Sequence, residues 1–321
     1  MLKRTQKQKG FTIVELLIVV VVIAILAAIT IVAYNGIQSR SKESAASAAV
    51  SQLGKKLAMH FQTNTNQYPA DSSALATQIG YTLGANDRYI VNNSLSPAQY
   101  CLSTTKGTLG ESYAISSTAS APIKGVCVTN LSQNPSFETT ITLPTNTHYG
   151  ATSTRVTGTG VTNGTYALRL HSTLGANGEA MRFIQGGFGN LGGFVPNTTY
   201  TFSADMTSLG SFANGSGSNQ RQIRLRWSGG AVANAAASTQ LPNSANSNRL
   251  YVTGAASADS TGMMLQVDHW GTATDPDIIV DGIMMTAGDT RYQYGDGSSA
   301  GWWWTGTAHE STSVGPAAVA Q

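Results

Sequence analysis

Hydrophobic residues follow three different patterns along the chain, and each pattern predicts a different kind of structure. The first is an eighteen-residue run from Leu16 to Ala33, in which Leu, Ile, Val and Ala are interrupted only by Thr30. A run of this length can cross the hydrocarbon core of a bilayer as one helix. The chain therefore begins with a predicted membrane-spanning segment.

The second pattern predicts that the same helix continues beyond the membrane. Apolar residues recur there at three- and four-residue spacing and form one stripe: Ala46, Val50, Leu53, Leu57 and Phe61. Such a stripe is typical of an amphipathic helix that packs on a core. Pro69 disfavours helical geometry in Tyr68, so the helix is predicted over residues 11–63.

The third pattern is alternation of apolar and polar positions over short segments, which predicts β-strands. In a small head, residues 64–129, the predicted strands are 88–91, 98–102 and 112–116. From residue 130 to 321 the turns are rich in Gly, Asn and Ser, and the strands are predicted at 166–171, 180–184, 199–206, 221–227, 249–253, 262–270 and 277–285. The predicted fold class is α+β: a long helix with a small disulfide-tied head, then an all-β jelly-roll sandwich.

The net charge of the chain is no longer positive once the first ten residues are set apart. They hold Lys3, Arg4, Lys7 and Lys9 and no acidic residue, which should keep this end cytoplasmic. Without these four the chain has 15 basic residues (19 − 4) against 16 acidic ones. The remainder is not basic, so composition does not favour nucleic acid as a partner.

The junction of basic leader and apolar run carries the most specific motif. Lys9-Gly10-Phe11-Thr12-Ile13-Val14-Glu15 resembles the class III leader of type IV prepilins and pseudopilins. The resemblance implies that residues 1–10 are a leader, that prepilin peptidase cuts between Gly10 and Phe11, and that the new Phe11 amine is methylated. Two other readings stay open: an ordinary secretory signal cleaved near Ala27-Ala28, and a Glu15 that merely faces lipid headgroups.

The same resemblance gives Glu15 a role in assembly. A carboxylate in a membrane helix costs roughly 2.5–3.5 kcal/mol at the bilayer centre and usually has a partner. The resemblance implies that this partner is the Phe11 amine of a neighbouring subunit. Many pilins carry a helix-kinking proline early in the helix, whereas the first proline here is Pro69, so a kink is not expected.

Cys101 and Cys127 are the two cysteines of the chain, and both follow the membrane segment on its non-cytoplasmic side. Thiols in an oxidising compartment form disulfides by default. A disulfide that closes this loop would stabilise the head by about 3–4 kcal/mol through loop-closure entropy.

The segment after residue 130 resembles jelly-roll carbohydrate-binding modules. The resemblance rests on Asn134-Pro135-Ser136-Phe137-Glu138 at its start, on 197–203 and 279–284 further along, and on the tail 294–297, 303–309 and 311–313. Some such modules hold a structural calcium ion, which here implies Glu138 and Asp281 as ligands. The alternative is that these two carboxylates only accept hydrogen bonds from backbone amides.

Two predicted strands carry the candidate glycan-binding residues. Gln222, Arg224 and Arg226 share one face of their strand, opposite Ile223, Leu225 and Trp227. On a second strand Gln266, Asp268 and Trp270 repeat the pattern. Trp270 could stack on a sugar ring while Arg224, Arg226 and Asp268 bind hydroxyls. The alternative is a solvated outer face with an Arg226–Asp268 pair. Of Trp302, Trp303 and Trp304, at least one is predicted to be buried and another to be exposed as a contact surface.

The only pattern that suggests catalysis is Gly297-Ser298-Ser299-Ala300-Gly301, which matches a nucleophile elbow. A strand before it and a helix after it are not predicted, so the chain is not expected to be an enzyme; a hydrolase using Ser299 is the least favoured alternative.

The sequence predicts a type IV pilin-like subunit, minor or tip-located, which displays a glycan-binding module on an extracellular pilus. Its expected partners are other pilin subunits, prepilin peptidase, a membrane assembly platform and a surface glycan. The precursor is expected to be a single-pass protein of the cytoplasmic membrane. The main alternative is a pseudopilin of a secretion or DNA-uptake machine, in which the module is a spacer.

Overall fold

The computed structural model describes residues 11–139, 145–148, 151–172, 181–184, 194–211, 221–228, 234–242, 246–260, 262–269 and 276–320. Two α-helices occur in the described residues, α1 (Ile13–Thr63) and α2 (Ser72–Ile79), together with a short 3₁₀-helix (Leu109–Glu111). The strands of the first 130 residues are β1 (Arg88–Asn92), β2 (Gln99–Thr105), β3 (Ser112–Ser116), β4 (Ile123–Lys124) and β5 (Val126–Asn130).

The remaining strands follow in chain order. They are β6 (Thr145–His148), β7 (Ala151–Val156), β8 (Ala167–Ser172), β9 (Met181–Ile184), β10 (Thr199–Ser208), β11 (Arg221–Ser228), β12 (Asn234–Ala237), β13 (Asn248–Ala255), β14 (Gly262–His269), β15 (Ile278–Ala287), β16 (Trp303–Trp304) and β17 (Ser313–Ala317). The predicted combination of one long helix and antiparallel sheets is confirmed.

Helix α1 has 51 residues, which corresponds to roughly 77 Å at 1.5 Å per residue. Its second half is amphipathic, and the predicted stripe is buried at Ala46, Val50, Leu53 and Leu57. Phe61, at the end of the stripe, stacks on Tyr68 with ring centroids 4.7 Å apart. The helix ends at Thr63 as predicted, because Thr65 and Asn66 then adopt positive φ angles of 54° and 58°.

The head is built around the second half of α1. Strands β1–β4 form an antiparallel sheet in that order, and this sheet packs on the helix through the following buried cluster: Val50, Leu53, Leu57, Leu75, Ile79, Tyr100, Leu102 and Ile115. The predicted disulfide is present and joins Cys101 in β2 to Cys127 in β5.

Two further sheets enclose a separate core and form the predicted β-sandwich, which we call the module. One sheet has the strand order β13-β10-β15-β8-β7 and the other β12-β11-β14. Phe202, Val280 and Leu168 contribute to the core from the first sheet, and Ile223 and Val267 from the second. Between Ser203 and Asp205 the β10–β15 pairing shifts register.

After the module, the chain returns to the head. Strand β17 pairs with β5 along its length, from Ser313 opposite Asn130 to Ala317 opposite Val126, and β16 pairs with the other edge of β17. The division of the chain at residue 130 remains a prediction, but it separates β5 from the strand with which β5 pairs.

The prediction of an exposed tryptophan in the 302–304 run is wrong. Trp302 and Trp303 are buried, with 4% and 5% of their surface exposed. Trp304 is half-buried, and its ring lies 4.8 Å from that of His309. The Trp302 ring lies against Gly295 and Gly315 and the Trp304 ring against Gly297, so positions without a Cβ atom make room for these rings within the protein.

Candidate functional site

The first candidate site is the start of α1. Thr12 is the N-cap and forms a reciprocal capping box with Glu15. The backbone N–H and the hydroxyl of Thr12 both donate to Oε2 of Glu15, each at 2.8 Å, and the Glu15 amide donates to the Thr12 hydroxyl at 3.2 Å. Phe11, directly before the cap, is 90% exposed. Within one chain, Glu15 therefore already has partners.

Thr12 is a functional residue that the sequence reasoning missed. The pattern of Thr followed three residues later by Glu, before an apolar run, is a capping-box signature. It was therefore detectable in the motif that identified Glu15. Gly10, the predicted residue before the cleavage point, lies outside the described residues.

The helix that follows this cap has an unusually apolar, uncovered surface. Its most apolar eighteen-residue window has a mean hydropathy of 3.4, so α1 is long and apolar enough to cross a membrane. From Ile13 to Ile37 its large aliphatic side chains are about half or more exposed. Because monomeric soluble proteins rarely expose such a surface, lipid or other chains must cover it.

The second candidate site is the polar face of β11 and β14. Asp268 is completely buried and accepts hydrogen bonds from three side chains. Gln222 Nε2 donates to its Oδ2 at 2.9 Å, Arg224 Nε donates to the same oxygen, and Gln266 Nε2 donates to Oδ1. Gln240 extends the network by donating to Oε1 of Gln222 at 2.9 Å.

The predicted alternation of β11 is confirmed where side chains are described. Ile223, Leu225 and Trp227 belong to the module core. Trp227 lies near Phe194 and Tyr200, with ring centroids 6.4 and 6.2 Å away. Gln222 and Arg224 point to the opposite face, which places the predicted core side of this strand correctly.

The solvation of the polar face differs from both sequence-based readings. Gln222 and Gln266 are about 95% buried, and Arg224 keeps 21% of its side chain exposed. Among the described side chains, the ionic partner of Asp268 is Arg224. An unpaired charge cannot be buried cheaply, so the nearest donors collect around Asp268. The side chain of Arg226 and the whole of Trp270 lie outside the described residues.

Asp281 is held by four hydrogen-bond donors. Oδ2 accepts from the amides of Thr162 and Asn163, at 2.7 and 2.8 Å, and from the Thr162 hydroxyl at 3.0 Å, while Oδ1 accepts from the Gly282 amide at 2.7 Å. Burial raises the pKa of Asp281 to about 6, although these donors act in the opposite direction. A cation at Asp281 would face N–H groups, so this residue does not fit as a calcium ligand.

Glu138 also accepts backbone hydrogen bonds, from Thr165 and Tyr166 to Oε1 at 2.8 and 2.9 Å. Both carboxylates thus play the alternative role that the sequence left open. Unlike Asp281, Glu138 lines a cavity of about 320 Å³, together with Asn163, Asp296 and several serines. Calcium binding at Glu138 stays a prediction; in the described part of the chain no three His, Cys, Asp or Glu residues are grouped to hold a metal.

The same cavity contains Ser299 of the elbow-like pattern. Its hydroxyl lies 3.2 Å from Oδ1 of Asp296 and accepts a hydrogen bond from the Asp296 amide at 3.1 Å. The residue sits in a turn that is followed by β16. A nucleophile elbow needs a strand–turn–helix arrangement, and this turn has a structural role instead.

Comparisons with known proteins cover different shares of the chain. Residues 5–31 match the family model of the prokaryotic N-terminal methylation motif. The fimbrial protein EcpC of Eikenella corrodens is 32% identical over 124 residues, which make up 36% of this chain and 77% of that protein.

Similar solved structures are more distant. The CBM22-1 and GH10 modules of xylanase 10B from Clostridium thermocellum, complexed with xylohexaose, are 15% identical with a TM-score of 0.34, over 53% of this chain and 30% of that chain. A cyclase from Fischerella sp. is 17% identical with a TM-score of 0.33, over 50% of this chain and 97% of that chain. These TM-scores are too low to establish a shared fold.

Proposed function

This chain belongs to the fimbrial proteins that carry the prokaryotic N-terminal methylation motif, and from this premise we propose that it is a type IV pilin-like filament subunit displaying a glycan-binding module outside the cell. The observation that carries the proposal is the division of α1. One half packs on the head through a buried stripe, and the other half is an uncovered apolar rod that begins at a capped carboxylate.

The uncovered half of α1 suits two successive environments. In the precursor it spans the cytoplasmic membrane, with the basic leader on the cytoplasmic side. After prepilin peptidase cleaves between Gly10 and Phe11, an assembly platform transfers the subunit into a filament, where helices of neighbouring subunits replace lipid around it.

The capping box gives Glu15 a partner at each stage. In the single chain its carboxylate accepts from Thr12, which reduces the cost of placing it in the membrane. In the filament, the methylated Phe11 amine of a neighbouring subunit offers a positive charge, which the Thr12 donors lack, so both partners of the new hydrogen bond are charged.

The module is proposed to bind a glycan on the face that carries Arg224. Asp268 fixes a guanidinium and two carboxamides in place, and planar polar groups held in this way suit the hydroxyl groups of a sugar. Arg224 is the member of the network that remains partly exposed. Arg226 and Trp270 are proposed to complete the site.

A low-copy or tip position follows from size. The module adds two sheets and their loops to the head, and repeating it on every subunit of a shaft would crowd the packed helices. The chain is proposed to be non-catalytic, and its other functional partners are the peptidase and the assembly platform.

Processing is tested by mass spectrometry of the protein isolated from filaments. We expect it to start at N-methylated Phe11, and Gly10→Val to leave the precursor uncleaved in the membrane. A mature terminus after Ala28 would contradict the pilin part of the proposal.

Glycan binding is tested separately, with the full chain in detergent on an array of immobilised oligosaccharides. Arg224→Gln should reduce binding more than tenfold. Arg169→Gln is the matched control, because Arg169 also pairs with an aspartate, Asp277, but on the other sheet. If the folded wild-type chain binds no oligosaccharide, the module is a spacer, as in the pseudopilin alternative.

A further inference from the structure

The last described segment of the chain, residues 302–319, is part of the head although it follows the module. We call it the C-terminal clasp. Its strand β17 is hydrogen-bonded to β5 on one edge and to β16 on the other. Asn130, where β5 leads into the module, lies opposite Ser313 of β17. The module is therefore inserted between two segments that pair with each other: β5 before it and the C-terminal clasp after it.

The clasp covers the disulfide. Trp303 and Val314 form one buried cluster with Cys101, Ala114 and Cys127. The two cysteines are 0% and 2% exposed. A thiol that attacks the disulfide must reach one of its sulfur atoms, and the clasp blocks part of this approach.

Close backbone contacts hold the clasp in its position. The Trp302 ring lies against Gly295 and Gly315, and a Cβ atom at either glycine would come within 2.3 Å of it. Its Nε1 donates to the carbonyl of Pro316 at 2.8 Å. From the head, the Ser116 hydroxyl donates to the carbonyl of Gly301 at 2.7 Å.

We propose that the module is inserted into the head and held at both ends, and that the clasp shields the disulfide through which tension on the module passes into the head. A pull on the module reaches β5 at Asn130, three residues after Cys127. The Cys101–Cys127 bond then transfers it to β2, inside the sheet that packs on α1, and bypasses residues 102–126. This inference does not depend on what the module binds.

The experiment measures how fast dithiothreitol reduces the disulfide in the full chain in detergent. Each dithiothreitol molecule becomes a cyclic disulfide while the two cysteines become thiols, which are alkylated and counted by mass spectrometry. Trp303→Ala should be reduced at least tenfold faster than wild type. Trp304→Ala, a neighbouring half-buried tryptophan outside the disulfide cluster, should match wild type. Equal rates for wild type and Trp303→Ala would overturn the proposal.

Hydrogen exchange of the wild-type chain keeps the proposal testable if Trp303→Ala does not fold. Segments that unfold together exchange together. The amides of β17 should exchange with those of β5, β2 and β3. Exchange of β17 together with the module strands β11 and β14, and apart from β5, would overturn the proposal, because the clasp would then belong to the module.

Discussion

The chain has two large apolar surfaces of similar chemistry, and folding treats them in opposite ways. The module core is buried from both sides by two sheets, with Phe202, Ile223 and Val280 fully enclosed. The first half of α1 is as rich in Leu, Ile and Val but remains exposed, with Ile29 at 62%. The chain itself does not cover this half of α1. Other molecules must cover it, first lipid and then neighbouring subunits.

The largest expected effect comes from removing the charge at the start of the exposed surface. Glu15→Leu should insert into the membrane at least as well as wild type, because a costly carboxylate is lost. Filament assembly should nevertheless fall to a small fraction of wild type, since the neighbour's Phe11 amine loses its partner. The measurement is the amount of subunit in sheared filaments relative to membranes.

Thr12→Val separates the role of the start of α1 in membrane insertion from its role in filament assembly. It removes the hydroxyl of the cap but keeps the charge of Glu15, so membrane insertion should suffer more than filament assembly.

If Glu15→Leu were incorporated into filaments at the wild-type level, the exposed surface alone would direct assembly and the carboxylate would have no part in it.

The next effect tests the enclosed surface. Trp227→Ala removes a 96% buried ring that packs near Phe194 and Tyr200. The loss should reduce the free energy of unfolding by about 3–5 kcal/mol, seen as a lower urea midpoint by circular dichroism. Trp304→Ala is the control, because its ring is half-buried. If Trp227→Ala lowered the urea midpoint less than Trp304→Ala, Trp227 would not belong to the module core.

Leu57 belongs to the second half of α1, which packs on the head. It is completely buried against the head, so Leu57→Ala should destabilise the head by about 2–5 kcal/mol. Ile29→Ala, on the exposed half of the same helix, should leave the unfolding of the head unchanged. Equal shifts for both variants would mean that detergent or lipid contacts, rather than the head core, stabilise the helix.

Features that depend on residues close together in the sequence could be predicted, whereas contacts between distant segments could not. The span of α1 and the inward face of β11 depend on local periodicity, and both were predicted correctly. The Cys101–Cys127 pair was also predictable, because the compartment and the count of cysteines leave one pairing. The pairing of β17 with β5 was not, since it joins residues that lie between 183 (Ser313 and Asn130) and 191 (Ala317 and Val126) positions apart in the chain.

The candidate sites show the same limit. Sequence alternation placed Gln222, Arg224 and Asp268 on one face, but it could not show that Gln222, Arg224 and Gln266 all donate to Asp268, because that depends on rotamers and burial. Three of the four donors around Asp281 come from Thr162 and Asn163, which lie more than a hundred residues earlier. Local sequence patterns do not predict such contacts.

The smallest expected effect concerns Asp281, whose buried carboxyl group accepts hydrogen bonds from Thr162, Asn163 and Gly282. Its pKa in the folded chain is about 6, against 3.8 as the ordinary value. A carboxyl whose pKa is raised by folding binds its proton more tightly in the folded state, so its contribution to stability should increase as pH falls through 6 and level off below 3.8.

Asp281→Asn should abolish this pH dependence and, because an amide offers only one acceptor oxygen, cost about 1–3 kcal/mol at pH 7. Urea midpoints between pH 5 and pH 7.5 test both effects, with Asp289→Asn, an exposed carboxyl, as the control. A wild-type midpoint that falls towards pH 5, with Asp281→Asn flat, would mean that the four donors outweigh burial and hold Asp281 as a carboxylate throughout this range.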